Sequence, residues 1–317
     1  MSEARFQTAS DVLDPWREDI LHGTPPTLYP AGSGDLARIE IGPGRVSLFG
    51  GAPGQGKTAF TTQLTFDALG LTPGLRALIC SVEMSPGVLL NRQLARLADI
   101  DLNAIRDRRI GADDADRLDR GLSALEALSD RLAFVRPPFD LANVAASADA
   151  FDAGLIVLDY IQRIGPPGDH GDRRGSVDAS MGYLRQFADA GAALIVVAAV
   201  SRSKDSKGRS SYSEGLNLAS FRESSELEFG ADDAFILAPG DDSDDTAPPS
   251  RVVLKHLKSR HGETRDINLT FDGRHQRFTH ADPAPGRPSR LDRGKHQAAL
   301  RALWESTRAA PDDEAPR

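Results

Sequence analysis

Cysteine is almost missing from this chain: its 317 residues include one, Cys80. An intramolecular disulfide and a zinc site built on cysteines are thereby excluded, and a reducing compartment is the natural expectation. The seven histidines show no metal-ligand spacing. Long hydrophobic runs are missing too. The longest, Ala192 to Val200, falls far short of the roughly 20 apolar residues that cross a bilayer as a helix. The opening residues are polar and carry Asp11, Asp14, Glu18 and Asp19, unlike a secretory leader. A soluble, cytoplasmic protein with no membrane partner is expected. Positive charge is in deficit, at a net −8, which argues against a protein that coats nucleic acid indiscriminately.

That average conceals segregation. Acidic residues crowd into Asp241–Asp245 and into the tail Asp312-Asp313-Glu314, whereas basic residues crowd into Arg202–Arg209 and between Lys255 and Arg277. Either basic stretch has a plain alternative, a solvated loop or strand. With 40% hydrophobic and 26% charged residues, the chain is able to build a substantial core.

Strand and helix patterns alternate through most of the sequence. Residues 1–35 are a Pro- and Gly-punctuated lead-in with one short helix around Asp11 to Leu21. Apolar runs at Val46–Phe49, Ala77–Val82, Leu132–Val135, Leu155–Leu158, Leu194–Val200 and Ala234–Leu237 read as strands. Continuous runs of this kind suit central parallel strands covered on both faces. Helical spacing appears at Ala59–Leu69, after the Ser85-Pro86 start signal, at Asp114–Leu128 and at Val177–Ala190, with a short helix after Ser220. Val252–Leu257 and Ile267–Phe271 flank His261-Gly262-Glu263 and predict a hairpin. Residues 36–282 therefore form one α/β unit around an open, mostly parallel twisted sheet flanked by helices. Residues 283–317 are a Pro-, Arg- and Asp-rich flexible tail with one amphipathic segment, Gln297–Arg308.

The chemistry begins at Gly51-Ala-Pro53-Gly54-Gln55-Gly56-Lys57-Thr58, a complete P-loop pattern. Glycines let successive backbone N–H groups converge on phosphate oxygens; the lysine neutralises the β/γ oxygens, and the threonine hydroxyl holds Mg²⁺. The motif follows an apolar strand and opens a helix at Ala59, which is the context it requires. Gly51, Pro53, Gly54, Gln55, Gly56, Lys57, Thr58 and Ala59 are the expected ATP-binding residues. Asp159 ends the run Leu155–Leu158, where a carboxylate reaches the metal directly or through water; an aspartate capping a loop is the alternative. Glu83 follows another strong strand and is placed to act as general base on the attacking water. Cys80 reads as a core strand thiol. Trp16 and Trp304 read as packing anchors or contacts to a neighbouring subunit.

Taken in order, Gly51–Phe60, Ser81-Val-Glu83-Met84, Leu158-Asp159-Tyr160-Ile-Gln162, Phe221-Arg222-Glu223-Ser224 and Lys258-Ser-Arg260-His-Gly262 resemble the replicative DnaB-type helicases, specifically their C-terminal RecA-like ATPase domain. The likeness covers roughly residues 28–280. It implies a RecA-like P-loop NTPase fold with a C-terminal β-hairpin, ATP hydrolysis with Mg²⁺, and a homo-oligomer, a hexamer being favoured. Single-stranded DNA and replication or mobile-element proteins are the implied partners. Residue by residue, it implies Glu83 as the catalytic glutamate and Asp159 as the metal-side aspartate. Lys258 and Arg260 become the pair that reaches the γ-phosphate on a neighbouring subunit; without the resemblance they read as exposed charges beside a hairpin turn. Arg222 and Glu223 match the segment near the DNA. Arg202, Lys204, Lys207 and Arg209 form a second candidate for DNA contact, since cationic side chains on a small-residue loop track a phosphate backbone; a surface loop is the alternative.

Departures accompany the match. The family's γ-phosphate-sensing glutamine is replaced near Ser201 (or Arg202), and the glycine after Arg-Glu-Ser is Ser225. The family's N-terminal ring-forming domain has no counterpart in residues 1–50, so a stand-alone motor domain is expected. A compact hexameric helicase is the leading reading. The alternative is a non-unwinding RecA- or KaiC-like ATPase in which ATP gates oligomerisation or DNA binding. The Lys258/Arg260 pair favours the first and the lost glutamine the second.

Overall fold

The computed structural model describes residues 6–168, 173–201, 203–204, 210–211, 216–221, 229–240 and 249–281. The chain separates into a unit spanning Met1–His280 and a second spanning Ala281–Arg317. The expected helix at Gln297–Arg308, Trp304 and the expected short helix after Ser220 lie outside the described residues.

The first unit is laid down in alternation. Helix α1 (Ala9–His22) leads to β1 (Val46–Gly51), α2 (Lys57–Leu71), β2 (Ala77–Ser81), α3 (Pro86–Ala98), α4 (Leu102–Arg106) and α5 (Ala115–Glu126). Then follow β3 (Leu132–Phe134), α6 (Leu141–Phe151), β4 (Leu155–Asp159), α7 (Arg173–Asp189) and β5 (Ala193–Val197). Two short strands, β6 (Ser203–Lys204) and β7 (Ser210–Ser211), pair with each other. The chain returns with β8 (Asp233–Pro239), β9 (Ser250–Ser259), β10 (Ile267–Asp272) and β11 (Arg277–His280).

The main sheet runs β11-β10-β9-β8-β1-β5-β4-β2-β3. From β8 to β3 every pairing is parallel, and β9, β10 and β11 continue the sheet antiparallel. The predicted hairpin is thus present, as β9 and β10, and a further strand that the sequence pattern did not suggest extends it. β5 lies between β1 and β4, which puts the end of the P-loop strand one strand away from Asp159.

The parallel strands β1, β2, β4, β5 and β8 are mostly apolar because both faces are covered, and alternate residues serve opposite layers. Phe49, Ile79, Val157, Ile195 and Phe235 face one layer with Phe60 and Leu64 of α2. Leu48, Leu78, Leu158, Val196 and Ile236 face the other with Val144 of α6 and Met181 and Leu184 of α7. Cys80 belongs to this second layer; burial pushes its thiol up to about 12, leaving a structural, unreactive group.

Helix α2 is buried nearly all round, a pattern that a surface helix would not show. The reason is that it is covered by the sheet on one side and by β11 beyond. The Gln63 amide donates to the Phe278 carbonyl at 2.9 Å and accepts from the Phe278 N–H at 2.8 Å. The Phe60 ring meets Phe278 edge-on with centroids 5.0 Å apart. Because α2 carries Lys57 and Thr58, this packing fixes the phosphate-binding end of the helix. Phe60→Ala is expected to cost about 3–5 kcal/mol of stability, the range for an aromatic removed from a closed core. Denaturant unfolding measures it; a loss below ~1 kcal/mol would mean that the site around Phe60 collapses freely.

Helix α1 is the short helix expected around Asp11 to Leu21. Thr8 and Asp11 cap it reciprocally, yet none of its residues is buried. Trp16 is 57% exposed, so it anchors no core of its own chain. With Val12, Leu13 and Ile20, also exposed, it forms a stripe at helical spacing. Among the described residues, no helix is long and apolar enough to cross a membrane.

Candidate active site

The parallel strands end together, and the Gly-rich loop, Glu83 and Asp159 follow or close those ends. β1 finishes at Gly51, and the loop to Gly56 turns back through positive φ at Gly54 (81°) and Gly56 (84°). At Gly56 two constraints coincide. A Cβ there would also stand 2.9 Å from Phe278 Cζ and 3.3 Å from the Phe271 ring, so only glycine lets the loop close onto the β10–β11 hairpin. Lys57 Nζ donates to the carbonyls of Gly51 (2.9 Å) and Ala52 (3.0 Å), spanning the loop it must serve. Burial lowers the lysine pKa, while the charges of Asp159 and Glu83 oppose that shift.

Asp159 ends β4, and its carboxylate Oδ2 accepts from the Thr58 hydroxyl at 2.8 Å. Its side chain is buried, and desolvation raises its pKa while the Thr58 hydrogen bond pulls it down. The charges of Lys57 and Arg92 act in the same direction as that hydrogen bond. Ser81 of β2 pairs with Asp159, and the Val82 N–H continues the ladder to the Asp159 carbonyl at 2.9 Å. The turn after it, braced by the Ser81 hydroxyl accepting from Met84 N–H at 3.3 Å, carries Glu83 on an exposed shoulder.

A cleft of about 460 Å³ collects these groups: Pro53, Gly54, Gly56, Lys57, Thr58, Glu83 and Asp159 all line it. Gly51, Gln55 and Ala59 do not. Gly51 contributes the carbonyl that holds Lys57, Gln55 closes the loop through its N–H to the Ala52 carbonyl at 3.3 Å, and Ala59 is buried in the first turn of α2. The cleft also has walls that sequence reasoning missed. Arg92 of α3 projects into it and interacts electrostatically with Asp159. Phe271 and Gln276 enter from the C-terminal hairpin. Nothing in the local pattern distinguishes Arg92 from any other helix arginine, and the hairpin is remote from the P-loop in sequence. Tyr160, next to Asp159, was legible as part of a motif but not as a wall.

The remaining expected residues lie elsewhere. β9 runs antiparallel to β8, with Asp233 opposite Ser259 and, on its other side, opposite Ser47. Ser47 is at the start of β1 and the P-loop at its end, a separation of about 13 Å at ~3.3 Å per residue. Lys258 and Arg260 are accordingly absent from the cleft lining. Arg222, Glu223, Arg202, Lys207 and Arg209 lie outside the described residues; for Lys204 the backbone is in β6. The basic stretch from Arg202 to Arg209, read as a loop, includes β6, which pairs with β7 just beyond it. Ser201, one of the two positions expected to stand for the family's glutamine, donates through both its N–H (2.7 Å) and its hydroxyl (3.1 Å) to the Ser220 carbonyl, and Val200 bridges Phe221. The end of the β5 segment is thereby tied to the chain leading into residue 222.

The comparisons with known proteins bear on the fold and the family. Residues 35–280 match the model of the DnaB-like helicase C-terminal domain. The replicative DNA helicase DnaB of Nostoc sp. (strain PCC 7120) is 31% identical over 151 residues, 44% of this chain and 17% of that protein. The chain thus spans less than a fifth of that relative's length. Among solved structures, an isolated ATPase domain superposes with a TM-score of 0.73 at 19% identity, covering 87% of this chain and 100% of that domain. A DnaB-like replicative helicase, studied with its primase interactions, superposes at 0.72 with 18% identity over 88% of this chain and 68% of the other. The fold is the RecA-like P-loop fold of those domains, and the chain belongs to the DnaB-like helicase C-terminal domain family.

Proposed function

We propose that this chain is an oligomeric, ATP-hydrolysing motor on single-stranded DNA, in its leading form a compact hexameric DnaB-like helicase. The ATPase unit would span residues 36–282, with 1–35 as lead-in and 283–317 as tail. One observation carries the reading: Lys57, Thr58, Glu83 and Asp159 share a cleft, while Lys258 and Arg260 stand at the other end of the sheet. A phosphoryl-transfer role for that pair therefore requires a second copy.

In the proposed reaction Glu83 accepts a proton from water as its oxygen attacks the γ-phosphorus of ATP. The bond from that phosphorus to the β–γ bridging oxygen breaks, and ADP leaves with the electron pair. Lys57 in the same chain, and Lys258 and Arg260 from a neighbour, balance the charge spread over the transferred group. The Thr58 hydroxyl and Asp159 carboxylate are hard oxygen donors, few in number, which suits Mg²⁺ that keeps several waters. When bound, the ion would neutralise the β and γ oxygens. Phe271 and Gln276 supply an aromatic face and an amide, the chemistry that a purine base takes up.

The apolar stripe of α1 supports self-assembly. So does an apolar groove of about 650 Å³ lined by Phe66, Leu71, Leu97 and Leu128. A stripe on one copy meeting a groove on the next is a head-to-tail contact, which generates rings or filaments. Arg222, Glu223, Arg202, Lys204, Lys207 and Arg209 are proposed DNA contacts. A replication partner such as a primase is proposed by analogy with the solved helicase.

Ser201 favours the second reading, a KaiC-like ATPase in which ATP gates assembly or DNA binding. Its hydroxyl is committed to Ser220, and its side chain is shorter than a glutamine's. Unwinding of a forked duplex, measured beside ATP hydrolysis with and without single-stranded DNA, separates the two. Strand separation with DNA-stimulated hydrolysis is the expected result. Slow turnover indifferent to DNA, with no unwinding, would replace the motor by the gated-binding reading.

A further inference from the structure

Outside the cleft, one buried carboxylate gathers an unusual set of donors. Asp232 immediately precedes β8, and its side chain is 2% exposed. Its Oδ2 accepts from the Val46 N–H at 2.8 Å and from Arg185 Nη1 of α7 at 2.7 Å. Its Oδ1 accepts from Arg260 Nη1 at 2.8 Å. The backbone N–H of Arg260 also donates to the Asp232 carbonyl at 2.8 Å. Arg260 Nη2 continues to the Phe229 carbonyl at 3.1 Å, and Lys258 Nζ donates to that same carbonyl at 2.9 Å.

The Arg260 side chain is 43% exposed, a setting in which an arginine ordinarily samples many rotamers. Here its planar fork is gripped at both tips, on a buried anion and on a main-chain oxygen, a two-point contact that a flexible ammonium does not reproduce. Arg185 and the Val46 N–H hold the far oxygen of the carboxylate, so the anion cannot turn to follow the guanidinium. Each grip uses one N–H of a terminal nitrogen, and a guanidinium carries further donors for a phosphate.

We propose that Asp232 is the positioning residue of the trans-acting pair: with the Phe229 carbonyl, it sets the direction in which Arg260 and Lys258 project toward the neighbouring subunit. This rests on the reading that the pair acts between subunits. Pre-orientation matters because a reacting arrangement misplaced by about an ångström loses much of its rate advantage.

Subunit mixing tests it. Lys57→Ala subunits lack a working phosphate loop but keep the pair; Arg260→Ala subunits keep the loop but lack the arginine. Their mixture is expected to recover the DNA-stimulated ATPase that each lacks alone. Placing Asp232→Asn in the Lys57→Ala subunits is expected to lower that recovery roughly ten- to a hundredfold. Placing it in the Arg260→Ala subunits leaves the recovery unchanged. Equal losses in the two mixtures would show a merely structural aspartate and overturn the inference, as would no loss in either. Failure of the parent mixture to recover overturns the trans reading itself, and this inference with it. Thermal unfolding checks that each variant folds. Should Asp232→Asn not fold, Arg260→Lys at its exposed position carries the test. Lys57→Ala/Arg260→Lys subunits are expected to complement poorly, and full complementation would overturn the proposal.

Discussion

Replacing Arg260 by alanine is expected to lower ATP turnover by about 10³-fold or more, the range for a trans-acting arginine in phosphoryl transfer. ATP binding should stay within about twofold, because a residue that meets the transition state but not the bound substrate changes turnover alone. The expectation follows from topology. Arg260 lies beyond β9, next to the start of β8, and the phosphate loop lies at the far end of β1. No side-chain rearrangement within one copy brings them together. Steady-state kinetics with nucleotide-binding titration measure both quantities. Turnover within a few-fold of the native chain would place the pair outside the chemistry and return Lys258 and Arg260 to exposed charges beside a hairpin.

Glu83→Gln is the second large effect. Loss of a general base costs about 10²–10⁴-fold in rate, and glutamine keeps the shape and much of the polarity of the turn. Nucleotide binding is expected to persist, since Lys57 and the Thr58–Asp159 pair are untouched. The variant should therefore hold ATP and trap the ATP-bound assembly. Glu83 is exposed on its turn, whereas Asp159 is buried and accepts from the Thr58 hydroxyl, so the proposed base and the proposed metal-side carboxylate can be tested separately. Asp159→Asn should weaken the Mg²⁺ dependence of binding, and Glu83→Gln should not. A Glu83→Gln protein with native turnover would assign the base elsewhere.

The parts of this site that were legible in the sequence are those made from contiguous residues. The phosphate loop needs glycines at set intervals, and Gly56 shows why: left-handed backbone and contact with Phe271 and Phe278 leave no room for a side chain. Asp159 and Glu83 were legible because a polar residue ending an apolar run sits at the rim of a parallel sheet. Arg92, Phe271 and Gln276 were not, because their arrival depends on how α3 and the last hairpin pack. The hairpin itself was visible as alternation, but β11 is short and follows a tight turn. Helix α6 was missed for another reason. Its sequence Leu141–Phe151 is alanine-rich with little periodicity, and it opens on a polar cap, Asp140, whose carboxylate accepts from the Asn143 N–H at 2.8 Å. For Trp16 the sequence left two readings open, because a tryptophan on an amphipathic helix looks the same whether it packs on its own core or on a neighbour; its exposure removes the first.

The central claim is that each active site is completed by a second copy. It is tested most directly by the specific ATPase activity of the native chain, measured across protein concentration with saturating single-stranded DNA and Mg²⁺. A split site predicts activity per subunit that rises steeply with concentration and levels off where light scattering shows the oligomer complete. Full activity per subunit in dilute, monomeric protein would contradict the account.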